Sequence, residues 1–176
     1  RPVPSFGPIG ARLLIIGLAP AAHGGNRTGR VFTGDRSGDW LFRALHNFGF
    51  ANQPSSVRRG DGLRLLDSYI TAAVHCAPPD NKPLPSEFDN CRPYLLDELQ
   101  RLKMVSVVVP LGLIGFKAYF TARKRLGWSN PSPLPAFGHG LAARLTDGVT
   151  VISSYHPSQQ NTQTGKLTER MLDDVF

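Results

Sequence analysis

Short apolar runs alternate along this 176-residue chain with longer stretches in which apolar residues recur at helical spacing. The strand-like runs cover 12–17, 68–74, 105–110 and 149–153. The helical patterns cover 38–48, 90–102, 111–120 and a stretch that begins near residue 167. Parallel strands joined by helices are buried on both faces. The alternation therefore predicts an α/β fold, a three-layer α/β/α domain around a central, mainly parallel four-stranded sheet.

The length and composition exclude several classes of protein. A chain of this size fits one domain, which we expect to span residues 1–176. The 18 glycines and 15 prolines are too few for a disordered or collagen-like chain. The longest apolar runs fall short of the roughly 20 residues that cross a bilayer, so we expect no membrane partner. With two cysteines and no secretion signal at its start, the chain is expected to act in the cytoplasm as a monomer.

The chain carries a net charge of +7, from 20 lysines and arginines against 13 acidic residues. Such a charge suits a polyanionic partner such as nucleic acid, although charge alone is a weak indication. The basic residues fall in two clusters, each of which either contacts phosphates or forms a solvated face. Taken singly, each cluster favours the solvated face. The clusters are Arg58, Arg59 and Arg64, and Lys117, Arg123, Lys124 and Arg125.

Ligands of such a sheet bind at the carboxyl ends of its strands. The candidate residues therefore lie in the loops 18–35, 75–90, 111–115 and 154–168. The first loop is rich in glycine and carries Phe32 among polar residues, which suits stacking on a planar base; alternatively, Phe32 packs in the core. This loop is neither a phosphate-binding P-loop nor a GxGxxG turn, which weighs against phosphotransfer and dinucleotide binding.

The fourth loop places His156 directly at the end of a predicted strand, before Pro157. A lone histidine is usually structural, but at this position it can donate a hydrogen bond to an anion that develops in the cleft. The residues that follow carry amide and hydroxyl groups and no charge before Lys166. This polar run suits contact with phosphates or bases in a duplex groove.

Three motifs occur in order over nearly the whole chain. They are Gly-Leu-Ala-Pro-Ala at 17–21 with Asn-Arg-Thr-Gly at 26–29 and Phe-Thr-Gly-Asp at 32–35, then Tyr-Ile-Thr-Ala-Ala-Val-His-Cys-Ala-Pro-Pro at 69–79, and finally His-Pro-Ser at 156–158 with Asn-Thr-Gln-Thr-Gly at 161–165. Together they resemble the uracil-DNA glycosylase superfamily, in its family 5 or type-b branch. The resemblance implies a monofunctional DNA glycosylase that flips uracil or another deaminated base out of DNA and hydrolyses its N-glycosidic bond, leaving an abasic site.

The resemblance also implies roles for individual residues. Phe32 matches the ring that stacks on the flipped base, and His156 matches the catalytic histidine that stabilises negative charge on the departing base. The base-binding residues are then Gly17, Ala19, Pro20, His23, Phe32 and Ala72. The DNA-binding residues are Arg27, Ser158, Gln159, Gln160, Asn161 and Thr162.

Two alanines depart from the pattern of related branches. Ala19 stands where those branches position water with an acidic or amide residue, a task that an alanine side chain cannot perform. Asn26 is the first candidate for that catalytic role and Asp35 the second, unless Asp35 only caps the following helix. Ala72 stands where a related branch has an asparagine that reads the uracil edge. We therefore expect activity on uracil and also on altered bases such as hypoxanthine.

Fourteen residues separate Cys76 from Cys91, which is similar to the second half of the four-cysteine pattern that holds a 4Fe-4S cluster in related proteins. Such a cluster takes four thiolates. Either the other pair lies upstream of Arg1 or this member lacks the cluster. Because the sequence opens without a methionine, we expect a missing N-terminal segment and a 4Fe-4S cofactor with both cysteines as metal ligands. Without the resemblance, two cysteines are more often plain core residues.

Two other functions fit part of the sequence. A non-catalytic nucleic-acid-binding module would explain the charge and the polar run, and a hydrolase of small nucleosides would explain His156 but not the basic clusters. His139, in Phe-Gly-His-Gly at 137–140, has no assigned role, and it either lines the pocket or is structural.

Overall fold

The computed structural model describes residues 2–176. The strands are β1 (Leu13–Gly17), β2 (Ser68–Ala72), β3 (Val107–Pro110), β4 (Ala142–Arg144) and β5 (Thr150–Ile152). The helices are α1 (Gly25–Thr28), α2 (Arg36–Asn47), α3 (Pro85–Arg101), α4 (Gly112–Arg125), α5 (Gln159–Gln163) and α6 (Glu169–Asp173), and a 3-10 turn covers Pro79–Asn81. None of the helices within residues 2–176 has both the length and the apolar character needed to cross a membrane.

The strands form one sheet in the order β2-β1-β3-β5-β4. β1 pairs in parallel with β2 and β3, and β3 pairs in parallel with β5. The predicted α/β fold with a mainly parallel sheet is confirmed. The predicted count of four strands is wrong, because β4 adds a fifth strand, antiparallel to β5 at the edge. Its sequence Ala-Ala-Arg has no apolar alternation and its residues are not buried, so no strand pattern marks it.

The two faces of the sheet are buried against different helices. Along β1, Leu13 and Ile15 belong to the core cluster that includes α2, whereas Leu14 and Ile16 belong to the cluster that includes α3 and α4. Successive side chains of a strand point to opposite faces, so one uniformly apolar strand supplies both layers. Full burial of each such side chain contributes about 1.5–3 kcal/mol before entropy is counted.

Helix α3 begins earlier than the pattern near residue 90 predicts. Pro85 occupies the first turn, where a missing N–H costs nothing, and the Glu87 carboxylate accepts a hydrogen bond of 2.7 Å from the Leu84 backbone N–H. Pro93 therefore lies inside the helix and not in its first turn. The observed start adds one turn of helix in front of the predicted one.

The loops after β1, β3 and β5 meet at the carboxyl edge of the sheet. A parallel bridge joins Leu111 to Ser154, and the Gly112 N–H donates a 2.7 Å hydrogen bond to the Ser154 carbonyl. The start of α4 is thereby fixed to the segment that leads into the fourth loop. This edge of the sheet is where the candidate residues gather.

Candidate active site

A cavity of about 470 Å³ lies at the carboxyl edge of the sheet. It is formed by the loop after β1, the beginning of α2 and the loop after β5. Its size is in the range of small-ligand sites. The residues that line it are Leu18, Ala19, Ala21, Phe32, Asp35, Arg36, Ser37, His156, Ser158, Gln159 and Gln160.

Phe32 presents its ring to this cavity from a strained backbone. Its φ is 52°, which lies in the left-handed region that a bulky side chain rarely adopts. Two glycines make room for this conformation. A Cβ at position 17 would lie 2.7 Å from the Phe32 ring, and a Cβ at position 38 would clash with the Phe32 carbonyl. The sequence therefore supplies glycine at the places where the ring and its backbone make close approaches.

The His156 ring stacks on the Phe32 ring in the lining of the cavity. The two ring centroids are 5.7 Å apart and their planes differ by 28°. The Asn161 side-chain amide donates a 2.8 Å hydrogen bond to the His156 carbonyl, and a Cβ at Gly112, whose φ is +86°, would lie 3.2 Å from the His156 Cβ. The helix starts of α4 and α5 thus hold the residue from both sides.

Burial lowers the pKa of His156 to about 4. At neutral pH the imidazole is therefore uncharged, with one nitrogen protonated and able to donate a hydrogen bond. The neutral imidazole can therefore stabilise an anion through a hydrogen bond, and the buried site does not have to accommodate a positively charged imidazolium. This arrangement suits a group that acts when negative charge develops.

Asp35 lines the cavity and also caps α2. Its side chain accepts a 2.9 Å hydrogen bond from the Gly38 backbone N–H, in the manner of an N-cap residue. Burial raises the pKa of the Asp35 carboxyl, opposed by backbone hydrogen bonds from Gly38 and Ser37 and reinforced by Asp39. A side chain at Gly24 would clash with this carboxyl group. The cavity therefore contains one carboxylate whose basicity is raised.

Comparison with known proteins identifies the family. The sequence model described as "Uracil DNA glycosylase superfamily" matches residues 4–176. The chain belongs to this superfamily. Its relatives include proteins named "Type-5 uracil-DNA glycosylase" from Mycobacterium tuberculosis, Thermus thermophilus and Pyrobaculum aerophilum, which are 51%, 48% and 47% identical over the whole of this chain. These identities place the chain in the type-5 branch of the superfamily, as the motifs predicted.

The matches cover different shares of the relatives. This chain spans 65% of the length of the Mycobacterium tuberculosis protein, 78% of the Thermus thermophilus protein and 74% of the Pyrobaculum aerophilum protein. The family match itself covers all three motifs. The Phe32 and His156 pair therefore lies within the part that defines the superfamily.

In this superfamily member, only some of the predicted site residues reach the cavity. Those that line it are Ala19, Phe32, His156, Ser158, Gln159 and Gln160. Gly17 lies beneath the Phe32 ring, and Ala72 is buried opposite Gly17 in the strand register. Pro20 is buried against Gly25, whereas His23, Asn26 and Arg27 are exposed on or beside α1. Asn161 and Thr162 lie on α5, behind the residues that face the cavity.

Four lining residues carry no prediction from the sequence, Leu18, Ala21, Arg36 and Ser37, and the sequence leaves open whether His139 lines the pocket or is structural. Arg36 and Ser37 line the cavity in the first turn of α2, a position that the Asp35 cap indicates once the helix start is known. His139 lies behind the site: its Nδ1 accepts a 3.2 Å hydrogen bond from the Tyr155 N–H, and its Nε2 lies 2.9 Å from the Met171 carbonyl. The second bond requires a proton on Nε2, which leaves Nδ1 free to accept. His139 thus ties α6 to the residue before His156.

The two cysteines of this superfamily member lie together beside β2. Cys91 is buried and Cys76 half-buried, and the Cys91 sulfur accepts a hydrogen bond of 3.4 Å from the His75 backbone N–H. Two thiol groups, one of which accepts a hydrogen bond from a backbone N–H, have the chemistry of two of the four thiolate ligands of an iron-sulfur cluster. Within residues 2–176 no group of three or more potential metal ligands is found, so these residues do not complete such a site.

Proposed function

We propose that this chain is the catalytic part of a DNA glycosylase that removes uracil, and other deaminated bases, from DNA. The observation that carries the proposal is that Phe32 and His156, whose rings stack on each other, line one cavity together with Asp35. The family of the chain and the names of its relatives support the substrate. The product is DNA with an abasic site, together with the free base.

The base enters the cavity after it is flipped out of the helix. It stacks on the Phe32 ring, which the strained backbone holds in place before substrate arrives. When the bond between the base nitrogen and the sugar C1′ breaks, its electron pair leaves with the base. The neutral His156 donates a hydrogen bond to the resulting anion, and this donor is expected to contribute roughly 3–4 kcal/mol to the barrier reduction.

Water completes the reaction at C1′ of the oxocarbenium-like sugar. We propose that Asp35 orients this water and accepts its proton, because its carboxylate lines the cavity and its pKa is raised. Asn26, the first candidate from the sequence, is exposed on α1 and is not among the lining residues. Its role stays a prediction, and the geometry favours Asp35.

The choice of base is expected to be relaxed. Position 72 holds an alanine that is buried in the strand register opposite Gly17, so no side chain there reads the hydrogen-bonding edge of a base. Position 19, in the cavity wall, also holds an alanine. A site without a dedicated polar reader discriminates weakly between bases of similar shape. We therefore propose hypoxanthine as a second substrate.

DNA is the proposed partner, and two surfaces support it. Gln159 and Gln160 project from the first turn of α5 at the cavity rim, where Ser158 caps the helix by accepting a hydrogen bond from the Asn161 N–H. Arg27, on α1, is exposed beside Gly34. The net charge of +7 adds a general attraction to phosphates. Cytoplasmic action and a monomeric state stay predictions.

We also propose that Cys76 and Cys91 supply two of the four ligands of a 4Fe-4S cluster, with the other two outside residues 1–176. The Val3 N–H donates a 2.7 Å hydrogen bond to the His75 carbonyl, so the first described residues pass beside the cysteine pair. A segment joined there would start beside His75, whose N–H bonds to the Cys91 sulfur and which precedes Cys76. The cluster would brace the loop before α3, since hydrolysis requires no electron transfer. An absorbance band near 400 nm is expected from protein that carries such a segment; active protein without iron would contradict it.

The activity is tested with matched oligonucleotides that contain uracil, hypoxanthine or no lesion. We expect release of both altered bases from duplex DNA and an alkali-labile abasic site in each product. Binding without base release would favour the non-catalytic module, and release from free deoxyuridine but not from DNA would favour the nucleoside hydrolase. Release of uracil but not of hypoxanthine would contradict the proposed relaxed base choice and leave the proposed glycosylase activity intact.

A further inference from the structure

A turn at residues 55–60 packs against Gly34, in the loop that carries the cavity residues Phe32 and Asp35. The Gly34 N–H donates a 3.2 Å hydrogen bond to the Ser56 carbonyl, and a Cβ at Gly34 would lie 3.7 Å from the Val57 carbonyl. Gly34 itself stands between Phe32 and Asp35, both of which line the cavity. A DNA strand that delivers a base to the cavity therefore passes close to this turn.

The turn is fixed by Asp61. One oxygen of the Asp61 carboxylate accepts hydrogen bonds from the backbone N–H groups of Val57 and Arg58, at 2.8 and 3.2 Å. The same oxygen forms a 2.7 Å ion pair with the buried guanidinium of Arg30. Although burial raises the pKa of Asp61, the bonds from Arg30 and the backbone hold that pKa well below its usual range. The carboxylate is thus ionised and already neutralised by Arg30.

Two arginines on this turn are left without a partner of opposite charge. Arg58 and Arg59 are exposed, and neither belongs to an ion pair within the part of the chain that the structure describes. The acidic residue in their own turn is occupied by Arg30. Other arginines of the protein do have carboxylate partners: Arg12, Arg30, Arg43, Arg92, Arg101 and Arg123.

A further basic group, that of Arg27, lies beside Gly34. A Cβ at Gly34 would lie 3.1 Å from an Nη nitrogen of Arg27. Val57, at the tip of the turn, is 65% exposed, so the turn is not covered by the rest of the protein. The Arg27 guanidinium and the turn therefore lie on the same side of Gly34, the side that a Cβ would occupy, and the bonds from Val57 and Arg58 to Asp61 fix the backbone of the turn.

We infer that residues 55–60 form a second DNA-contacting element, in which Arg58 and Arg59 bind phosphates of the strand that carries the flipped base. This inference rests on the proposed glycosylase function and extends the contacts beyond Arg27 and residues 158–162. Phosphates suit these side chains because guanidinium groups bind them in a bidentate geometry. The two arginines position the strand and carry no information about its sequence.

The test compares two double variants, R58A/R59A and R125A/R144A. Both remove two positive charges from exposed arginines that have no ion pair in the described residues. Arg125 ends α4, about 20 Å along the helix from its start beside His156. Arg144 lies in the edge strand β4, opposite Thr150 at the beginning of β5. The control pair is therefore at the other end of the sheet.

Affinity for a duplex that contains a tetrahydrofuran abasic analogue is measured by fluorescence anisotropy at salt concentrations from about 50 to 200 mM. For R58A/R59A we expect the slope of log K against log salt to fall in magnitude by roughly two, about one for each phosphate that the variant no longer binds. For R125A/R144A we expect the wild-type slope. Melting temperatures of both variants should match the wild type, because the backbone bonds to Asp61 remain.

Equal salt slopes for the two double variants, whether both reduced or both unchanged, would overturn the inference. Arg58 and Arg59 would then belong to a solvated face. The proposed function is tested separately by uracil release from the wild-type protein. Wild-type protein that releases uracil while R58A/R59A keeps the full salt slope would refute the second element alone.

Discussion

Phe32 shows how the site is prepared before DNA binds. A phenylalanine at φ 52° carries a strain of about 1–3 kcal/mol, which the surrounding structure must offset. The contacts at Gly17 and Gly38 define the space for the ring and its carbonyl. Thr33, the next residue, is fully buried and its hydroxyl lies 2.6 Å from that of Ser56. These contacts offset the strain and hold the aromatic ring beside His156 without help from substrate.

The Asp35 carboxylate has two roles in this account, cap of α2 and general base, and one substitution separates them. Asparagine caps a helix about as well as aspartate, so Asp35→Asn keeps the acceptor for the Gly38 N–H but removes the charge. We expect single-turnover uracil release to fall by about a hundredfold or more, as for loss of a general base. The melting temperature should not fall, because the raised pKa shows that the folded state disfavours the charged form.

The pH dependence of the same pair gives a second readout. Since the pKa of Asp35 is raised, the wild-type rate should rise with pH as this carboxyl loses its proton, at a pH above the usual value of about 3.9. The remaining rate of Asp35→Asn should lack this rise. A variant with wild-type rate and pH profile would show that Asp35 serves only as the cap of α2.

Before the fold is known, the sequence predicts some residues of the site better than others. Phe32 and His156 are predictable because each belongs to a long motif in a loop at the carboxyl edge of the sheet, and His156 also comes soon after a clear strand pattern. Asn26 and Asp35 lie in the same loop, but Asn26 is on α1, a four-residue helix without an apolar stripe, whereas the Asp35 side chain is directed by its bond to the start of α2. The role of His139 depends on a contact with α6, 32 residues away in sequence. Such distant contacts leave no periodic pattern.

Among the strands and helices, the sequence predicts best those that are long or rich in apolar residues. β1, β2, β3 and β5 all lie within predicted runs because their central residues are buried. β4 was not predictable, since its stability comes from pairing with β5 rather than from its own residues. Helix α5 was also missed: its five residues are Gln-Gln-Asn-Thr-Gln, none of which is buried. The Ser158 cap and the tertiary setting create this helix.

Helix α5 is expected to act on duplex DNA in particular. Gln159 and Gln160 line the cavity rim and are exposed, so replacing both by alanine keeps the helix and removes the amide groups. If this segment enters the groove beside the flipped base, the double variant should lose more activity on double-stranded than on single-stranded uracil DNA. The ratio of the two single-turnover rates is the measurement. Equal losses on both substrates would contradict groove insertion.

At the scale of the whole molecule, the carboxyl edge of the sheet and the opposite edge carry different features. The carboxyl edge carries the cavity, with the starts of α2, α4 and α5 around it. The opposite end carries structural ion pairs, such as Arg12 with Asp67 before β1 and β2, and Arg123 in the last turn of α4 with Asp147 between β4 and β5. A parallel sheet favours this division, because all its strand ends that suit ligand binding lie at one edge.

The central claim is that His156 stabilises the departing base, and single-turnover uracil release by His156→Ala tests it most directly. Affinity for the duplex with an abasic analogue is measured in parallel, so that loss of binding is not mistaken for loss of chemistry. We predict that the rate falls by about 10²–10³, the cost of removing one donor to a developing anion, while DNA affinity stays close to that of the wild type. A wild-type rate in His156→Ala would contradict the claim.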